Sequence, residues 1–338
     1  GRVIWAEKGL TGPTNWYDLD AGKTDFNVYG KWQQDLSKTL QFFTDLQYRK
    51  VDYIINGFRD NPALYVNNNY NFFNPKIGLT YHKNGWLAYT SYSLANKEPN
   101  RDDFEAGELN QPKPERLGDL EAGMELRKNK YSLGANVYYM NYKDQLVLTG
   151  KINDVGAYTR SNIDNSYRLG VELQGSSVLN NWLKAAANFS VSRNRIKNFE
   201  EYIDDYDNGG QKANAYHETD ISFSPGLVGA ATITLTPGQG VSFDLIGKYV
   251  GKQYLDNTSN ESRKLNPYYT QDVRGIYSFS YGRLQNIDLT FQVNNLFNKK
   301  YEPNGYTFSY YYNNELTTEN YYFPMSGINW MLGVNVRF

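Results

Sequence analysis

Gln285-Asn286-Ile287-Asp288-Leu289-Thr290-Phe291-Gln292-Val293-Asn294-Asn295-Leu296-Phe297 is the stretch on which the reading of this chain turns. Ile287, Leu289, Phe291, Val293 and Phe297 share one parity, and Asn286, Asp288, Thr290, Gln292 and Asn294 the other. Successive side chains of an extended chain point to opposite faces, so this is a strand with one apolar and one polar side. The end of the chain repeats the pattern. Ile328, Trp330, Leu332, Val334, Val336 and Phe338 alternate with Asn329, Met331, Gly333, Asn335 and Arg337.

Working outward, the same period recurs. Phe26, Val28, Trp32 and Leu36 oppose Asp25, Asn27, Lys31 and Asp35. Leu40, Phe42, Leu46 and Tyr48 oppose Gln41, Asp45, Gln47 and Arg49. Tyr131, Leu133, Ala135, Val137 and Tyr139 oppose Ser132, Gly134 and Asn136, and Val241, Phe243, Leu245 and Tyr249 oppose Ser242, Asp244 and Lys248. Residues 85–96 alternate too poorly for their faces to be assigned. The strands run to roughly 11–16 residues, against about 5–6 in an ordinary soluble sheet. A tilted strand needs about 9–11 residues for the hydrocarbon layer alone, so these lengths suit a membrane crossing.

Composition fits the same reading. The mean hydropathy is −0.68, yet aromatics are 16% of the 338 residues, with 31 Tyr and 17 Phe. Disordered chains are poor in aromatics. A membrane barrel reconciles the two values, because half of each strand faces water while aromatic girdles sit at both lipid interfaces. There is no cysteine, which removes disulfide and thiolate chemistry. The net charge of −1 argues against a nucleic-acid partner, since phosphate binding needs a basic surface. No run of about 18 apolar residues supplies a spanning helix.

Tight turns are expected at Ser37-Lys38, Lys83-Asn84-Gly85, Lys128-Asn129-Lys130, Leu179-Asn180-Asn181, Thr236-Pro237-Gly238-Gln239-Gly240 and Tyr281-Gly282-Arg283. Long polar connections alternate with them, over residues 57–69, 98–116, 144–164, 199–217, 256–266 and 298–326. Short turns at one rim and long loops at the other are the asymmetry of outer-membrane barrels. The count is about 13 strands, or 14 if residues 2–7 end an earlier one, in a single all-β domain over residues 1–338 with no linker.

Several separated segments resemble TonB-dependent receptors, in the order of that family. They are Lys97-Glu98-Pro99, Pro112-Lys113-Pro114-Glu115, Leu120-Glu121-Ala122-Gly123, Gly170-Val171-Glu172-Leu173 and Asn295-Leu296-Phe297-Asn298-Lys299-Lys300-Tyr301, with a terminal Phe338. Ile328 departs from the Arg that many members carry there. The resemblance implies a 22-stranded barrel in the bacterial outer membrane, surrounded by lipid. It implies an N-terminal plug and an energy-coupling TonB complex of the inner membrane. If Phe338 closes strand 22, Thr24 falls in about strand 10, and the plug lies outside this sequence; a complete smaller barrel is the alternative. Phe338 then matches the family's assembly signal.

Candidate chemistry is sparse. The two histidines, His82 and His217, are expected at opposite rims, which argues against a shared catalytic or metal site. Asp205-x-Asp207 opens like a Ca²⁺ loop, but Tyr216 stands where the closing Glu is needed, so residues 200–210 read as a solvated acidic loop. Arg49, Lys76, Glu121, Arg168, Glu172, Lys248, Asp272, Arg274 and Asp288 are expected to face the lumen, because charge is costly in lipid. The loop over residues 303–323 carries Tyr306, Tyr310, Tyr311, Tyr312, Tyr321 and Tyr322, and with His217 these are the candidate ligand contacts. Packing within the loop and the upper girdle is the competing role. No cofactor, metal or enzymatic activity is expected. The function implied is energy-coupled import of a small-molecule cargo: ferric siderophore, haem or cobalamin. Oligosaccharide import, a porin and a barrel enzyme are the alternatives.

Overall fold

The alternating segments are realised as hydrogen-bonded strands. A computed structural model describes residues 19–59, 61–107, 111–153, 158–282 and 284–337. The strands are β1 (Asp20–Asp35), β2 (Leu40–Asn56), β3 (Tyr65–Lys83), β4 (Trp86–Lys97), β5 (Glu115–Arg127), β6 (Tyr131–Ile152), β7 (Tyr158–Asn180), β8 (Leu183–Asp205) and β9 (Gln211–Asp220). They continue as β10 (Leu227–Gly238), β11 (Val241–Val250), β12 (Gln253–Tyr254), β13 (Lys264–Leu265), β14 (Tyr268–Tyr281), β15 (Leu284–Asn294), β16 (Asn304–Tyr312), β17 (Glu315–Phe323) and β18 (Asn329–Arg337).

One antiparallel sheet runs in the order β1-β2-β3-β4-β5-β6-β7-β8-β10-β11-β14-β15-β18, a path of thirteen strands. This agrees with the count from the sequence. β9 and β10 share a single place beside β8: β9 pairs with its residues 195–204 and β10 with 183–191. Among the described residues β1 pairs only with β2 and β18 only with β15. Residues 2–7 and Phe338 lie outside the described residues.

Three expectations about local structure are corrected. Residues 144–164 and 199–217 are mostly paired strand, so β6, β7 and β8 reach 22–23 residues. Polar composition misled there, because a strand that projects beyond a membrane needs no apolar stripe. Residues 303–323 are also a strand pair, β16–β17, and not an irregular loop. The turn assigned to residues 179–181 falls two residues later, between Asn180 and Leu183.

The two faces follow from the register. Lys31–Asp45–Lys76–Ser93–Asp119–Met140–Arg168–Asn194 is one continuous row of cross-strand partners. The nine charged positions expected in the lumen all fall on this face. On the other face Ile233–Leu245–Val273–Val293–Trp330 form a row, with Phe291 beside Leu332 and Leu289 beside Val334. These side chains are open: Leu332 and Val334 are each 68% exposed. The total accessible surface is 21420 Å², whereas a compact monomer of this mass exposes about 14,000 Å². Two open faces, one of them apolar, fit a sheet whose apolar side meets an apolar solvent such as a bilayer.

Apolar packing of the ordinary kind gathers toward the long connections. One cluster holds Val51, Tyr53, Ile55, Phe58, Leu64, Val66, Phe72 and Phe104. A second holds Val147, Ile163, Ile196, Phe199 and Ile221. The sheet itself has no core between them. The first cluster joins the connections over 57–69 and 98–116, and the second joins those over 144–164 and 199–217.

Candidate ligand-binding site

The family-like segments occupy the joints of this rim. Glu98 is buried and receives Lys23 at 2.8 Å and Arg49 at 2.7 Å, while Arg49 also binds Asp25. Pro99 is buried beside it. Asp103, in a short 3-10 turn over Arg101–Ala106, takes two bonds of 2.6 Å from Arg160. At the far end Glu115 accepts the Leu146 amide at 3.0 Å, just beyond Asp144, whose φ is 55° and which the β6–β7 ladder skips. Pro114 follows Lys113, whose amide and carbonyl are both bound by Asn162. The described residues 98–107 and 111–115 are thus a strap fastened to β1, β2, β6 and β7.

Glu121 and Glu172 lie on the polar face, in the adjacent rows Ser91–Glu121–Tyr138–Gly170–Ser192 and Tyr89–Gly123–Asn136–Glu172–Ser190. The glycines are explained by these rows. A Cβ on Gly123 would stand 2.5 Å from the Tyr89 ring, and one on Gly170 would collide with Tyr138. Tyr89 reaches across Gly123 to donate to Asn136 at 2.9 Å.

Asn295 (φ 51°) is buried where β15 ends. Its side chain accepts from the Lys299 amide and donates to the Lys299 and Ser326 carbonyls, while its own amide binds Asp272. Asn298 (φ 50°) accepts the Ile328 amide at 3.0 Å. Asn tolerates the left-handed region and supplies the bonds such a turn needs. Leu296 and Phe297 are exposed, Phe297 stacks with Tyr269, and Tyr301 stacks on Tyr268 at 4.3 Å. The segment closes the base of the long connection that carries β16–β17.

That hairpin turns at Asn313-Asn314, both with positive φ, the geometry a two-residue hairpin favours. Tyr306 stacks on Tyr321 at 4.9 Å, and Phe308 stacks on Tyr321 at 5.9 Å. Tyr310 and Tyr321 both donate to Glu319. The acidic segment is exposed over residues 206–210, as expected, but it also holds the hairpin. Asp207 accepts the amides of Asn313 and Asn314, each at 2.8 Å. Tyr206 packs on Tyr310, and Lys212 sits 3.9 Å from the Tyr311 ring centre. Asp205 is buried and caps Asp207 and Asn208; Lys212, then Asn208, hold its carboxyl far down, at about 2. Tyr322 and Asn320 bind the backbone of residues 262–264 from the other side.

Between these pieces lies a cavity of about 460 Å³, within the range of small-molecule sites. Leu146 to Gly150, Tyr158, Arg160, Phe199, Glu201 to Ile203, Phe223, residues 255–258, Arg263 and residues 305–309 line it. Buried Arg263 pairs with Glu201 and with Asp256, and Tyr216 donates to Glu201 at 2.8 Å. Burial, then Glu201, pushes the Tyr216 hydroxyl up to about 12.

Of the candidate contacts, the cavity takes Tyr306. Tyr310, Tyr311, Tyr312, Tyr321 and Tyr322 build or flank the hairpin without lining the cavity. His217 is exposed on β9, away from it, and His82 is near the short turn after β3. No cluster of three metal-ligating side chains occurs among the described residues. Phe308, one of the aromatics in the 303–323 stretch read from the sequence, also lines it, whereas sequence reasoning missed Tyr158, Tyr202, Phe223 and Arg263. They come from four separate connections, and only the folded rim assembles them.

A family profile described as "TonB dependent receptor-like, beta-barrel" matches residues 7–296. The chain belongs to this family, which is one of receptors and transporters, not enzymes. No curated protein matches the sequence. The fold is similar to the ferric-catecholate import receptor Fiu of E. coli K12 in its closed form, at 15% identity and TM-score 0.68, over 95% of this chain and 45% of that one. It is similar to the siderophore receptor PiuA of Acinetobacter baumannii, at 16% identity and TM-score 0.73, over 94% and 43%. It is also similar to the ferric citrate transporter FecA, at 16% identity and TM-score 0.71, over 95% and 46%. The chain spans less than half the length of each of these.

Proposed function

We propose that this chain is part of a receptor that imports a scarce, metal-bearing small molecule, a ferric siderophore before haem or cobalamin, across the bacterial outer membrane. The cavity at the loop rim carries the reading. It is aromatic and apolar, it is built by several loops at once, and residues tied into the sheet fix its shape. The names of the structural neighbours support a ferric cargo. In this reading the apolar face meets lipid, and the strands belong to a 22-stranded barrel. The polar face meets a plug that an inner-membrane TonB complex pulls. Sugar import is disfavoured at the hairpin, since Tyr321 is stacked against both Tyr306 and Phe308, and a pyranose needs a free ring face.

The test is whole-cell binding and uptake of labelled ferric siderophores by the full receptor. Tyr306→Ala with Phe308→Ala is expected to weaken binding about 10-fold or more, the effect of losing an aromatic anchor. Barrel abundance and heat-modifiability are expected to stay unchanged. Unchanged affinity in the double variant would return the hairpin to a packing role.

A further inference from the structure

The charges around the cavity choose among ferric chelates. Arg160 and Arg263 line it, and neither has a free positive charge to offer. Arg160 is held by both oxygens of Asp103, and Arg263 by Glu201 and Asp256. Two of the three lining tyrosines are also committed to carboxylates. Tyr158 donates to Asp204 at 2.8 Å, and Tyr202 donates to Glu200 at 2.9 Å. Lys151 sits beside the site with its Nζ 5.6 Å from the Tyr202 ring centre. At the lining itself two cations, Arg160 and Arg263, stand with two carboxylates, Glu201 and Asp256, and Asp103 sits behind Arg160, so the charges are matched in place. The apolar part of the wall is Leu146, Val147, Leu148, Phe199, Ile203 and Phe223. A polyanion entering this space would lose its hydration and meet no unpaired cation, while an uncharged chelate would lose little and gain apolar contact.

Resting on the import reading above, we infer that this cavity selects an electroneutral chelate with an apolar periphery. Three monoanionic hydroxamate groups around a trivalent metal ion make such a cargo, because their charges cancel. Polyanionic tris-catecholate and citrate chelates are rejected here.

The experiment is competitive binding to the full receptor in outer membranes, using ferric tris-hydroxamate, ferric tris-catecholate and ferric citrate. The hydroxamate chelate is expected to bind at least 10-fold tighter than either anion. Leu148→Lys places a cation at a lining position that is 60% exposed and so tolerant of change. It should cut the preference at least threefold. Asp256→Asn, which removes a lining carboxylate that holds Arg263 without adding bulk, should lower it in the same direction. Equal or tighter binding of the anionic chelates by the parent overturns the charge inference and leaves ferric import standing. An unchanged preference in both variants, with normal barrel abundance, also overturns it. Binding of none of the three overturns the ferric import reading and this inference together.

Discussion

Gly123 and Gly170 owe their place to the tyrosine rings that cross above them. Neither needs a positive φ; each needs the space in which Tyr89 or Tyr138 lies. A side chain at Gly123 would push the Tyr89 ring off its bond to Asn136. Gly123→Val is expected to destabilise the folded barrel by about 1–3 kcal/mol, the usual cost of overpacking. In a Tyr89→Ala background the same change should cost much less, because the ring is gone. Urea unfolding of the refolded barrel in lipid vesicles measures both, and an equal cost in the two backgrounds would refute the account. The family-like residues read from the sequence therefore have local duties: Glu98 and Glu115 fasten a strap, and Asn295 closes a turn. Their types were legible in the sequence, but these duties depend on partners from 23 to 75 residues away.

At the scale of the element, β4 shows why alternation sometimes fails. Trp86, Ala88, Thr90, Tyr92 and Leu94 share the apolar face, and Leu87, Tyr89, Ser91 and Ser93 the polar one. Small residues stand outside and a large ring inside, so period-2 hydropathy is blurred. The β16–β17 hairpin was hidden for a related reason. Its tyrosines suit either face, so period 2 is blurred on both sides of the Asn313-Asn314 turn. Asp207 fixes the tip of this hairpin to the end of β8 through two backbone amides. Asp207→Ala is expected to raise amide hydrogen exchange across residues 304–323 about 10-fold or more while β14 and β15 keep their protection. That difference corresponds to about 1.4 kcal/mol or more of lost local stability. Unchanged exchange in the hairpin would show that the stacked rings alone hold it.

For the whole molecule, the accessible surface and the exposed apolar rows place the free energy of the sheet in its solvent, not in a core. Leu289 lies in the middle of β15, paired with Val334 on the lipid side. Leu289→Lys is expected to destabilise the barrel by about 2–4 kcal/mol in vesicles, the cost of a cation near the midplane. Asn286→Lys, on the polar face of the same strand, should change stability by less than about 1 kcal/mol, since a charge facing water is cheap. Equal effects at the two positions would mean that the faces are assigned the wrong way round.

The sequence by itself determined the strand count, the polar and apolar faces of most strands, the alternation of short turns with long connections, and the family. Those properties are written in period-2 patterning and in short motifs, both of which are local. Only the tertiary structure decided that polar stretches such as residues 199–205 and 211–217 are strand, and that an acidic segment grips the tip of a distant hairpin. It alone brought Tyr306 and Phe308 to one cavity with Tyr158, Tyr202 and Arg263. Such contacts join residues 100 or so apart, as Asp207 joins Asn313. No local pattern records them, because they depend on which loops the order of the strands sets side by side.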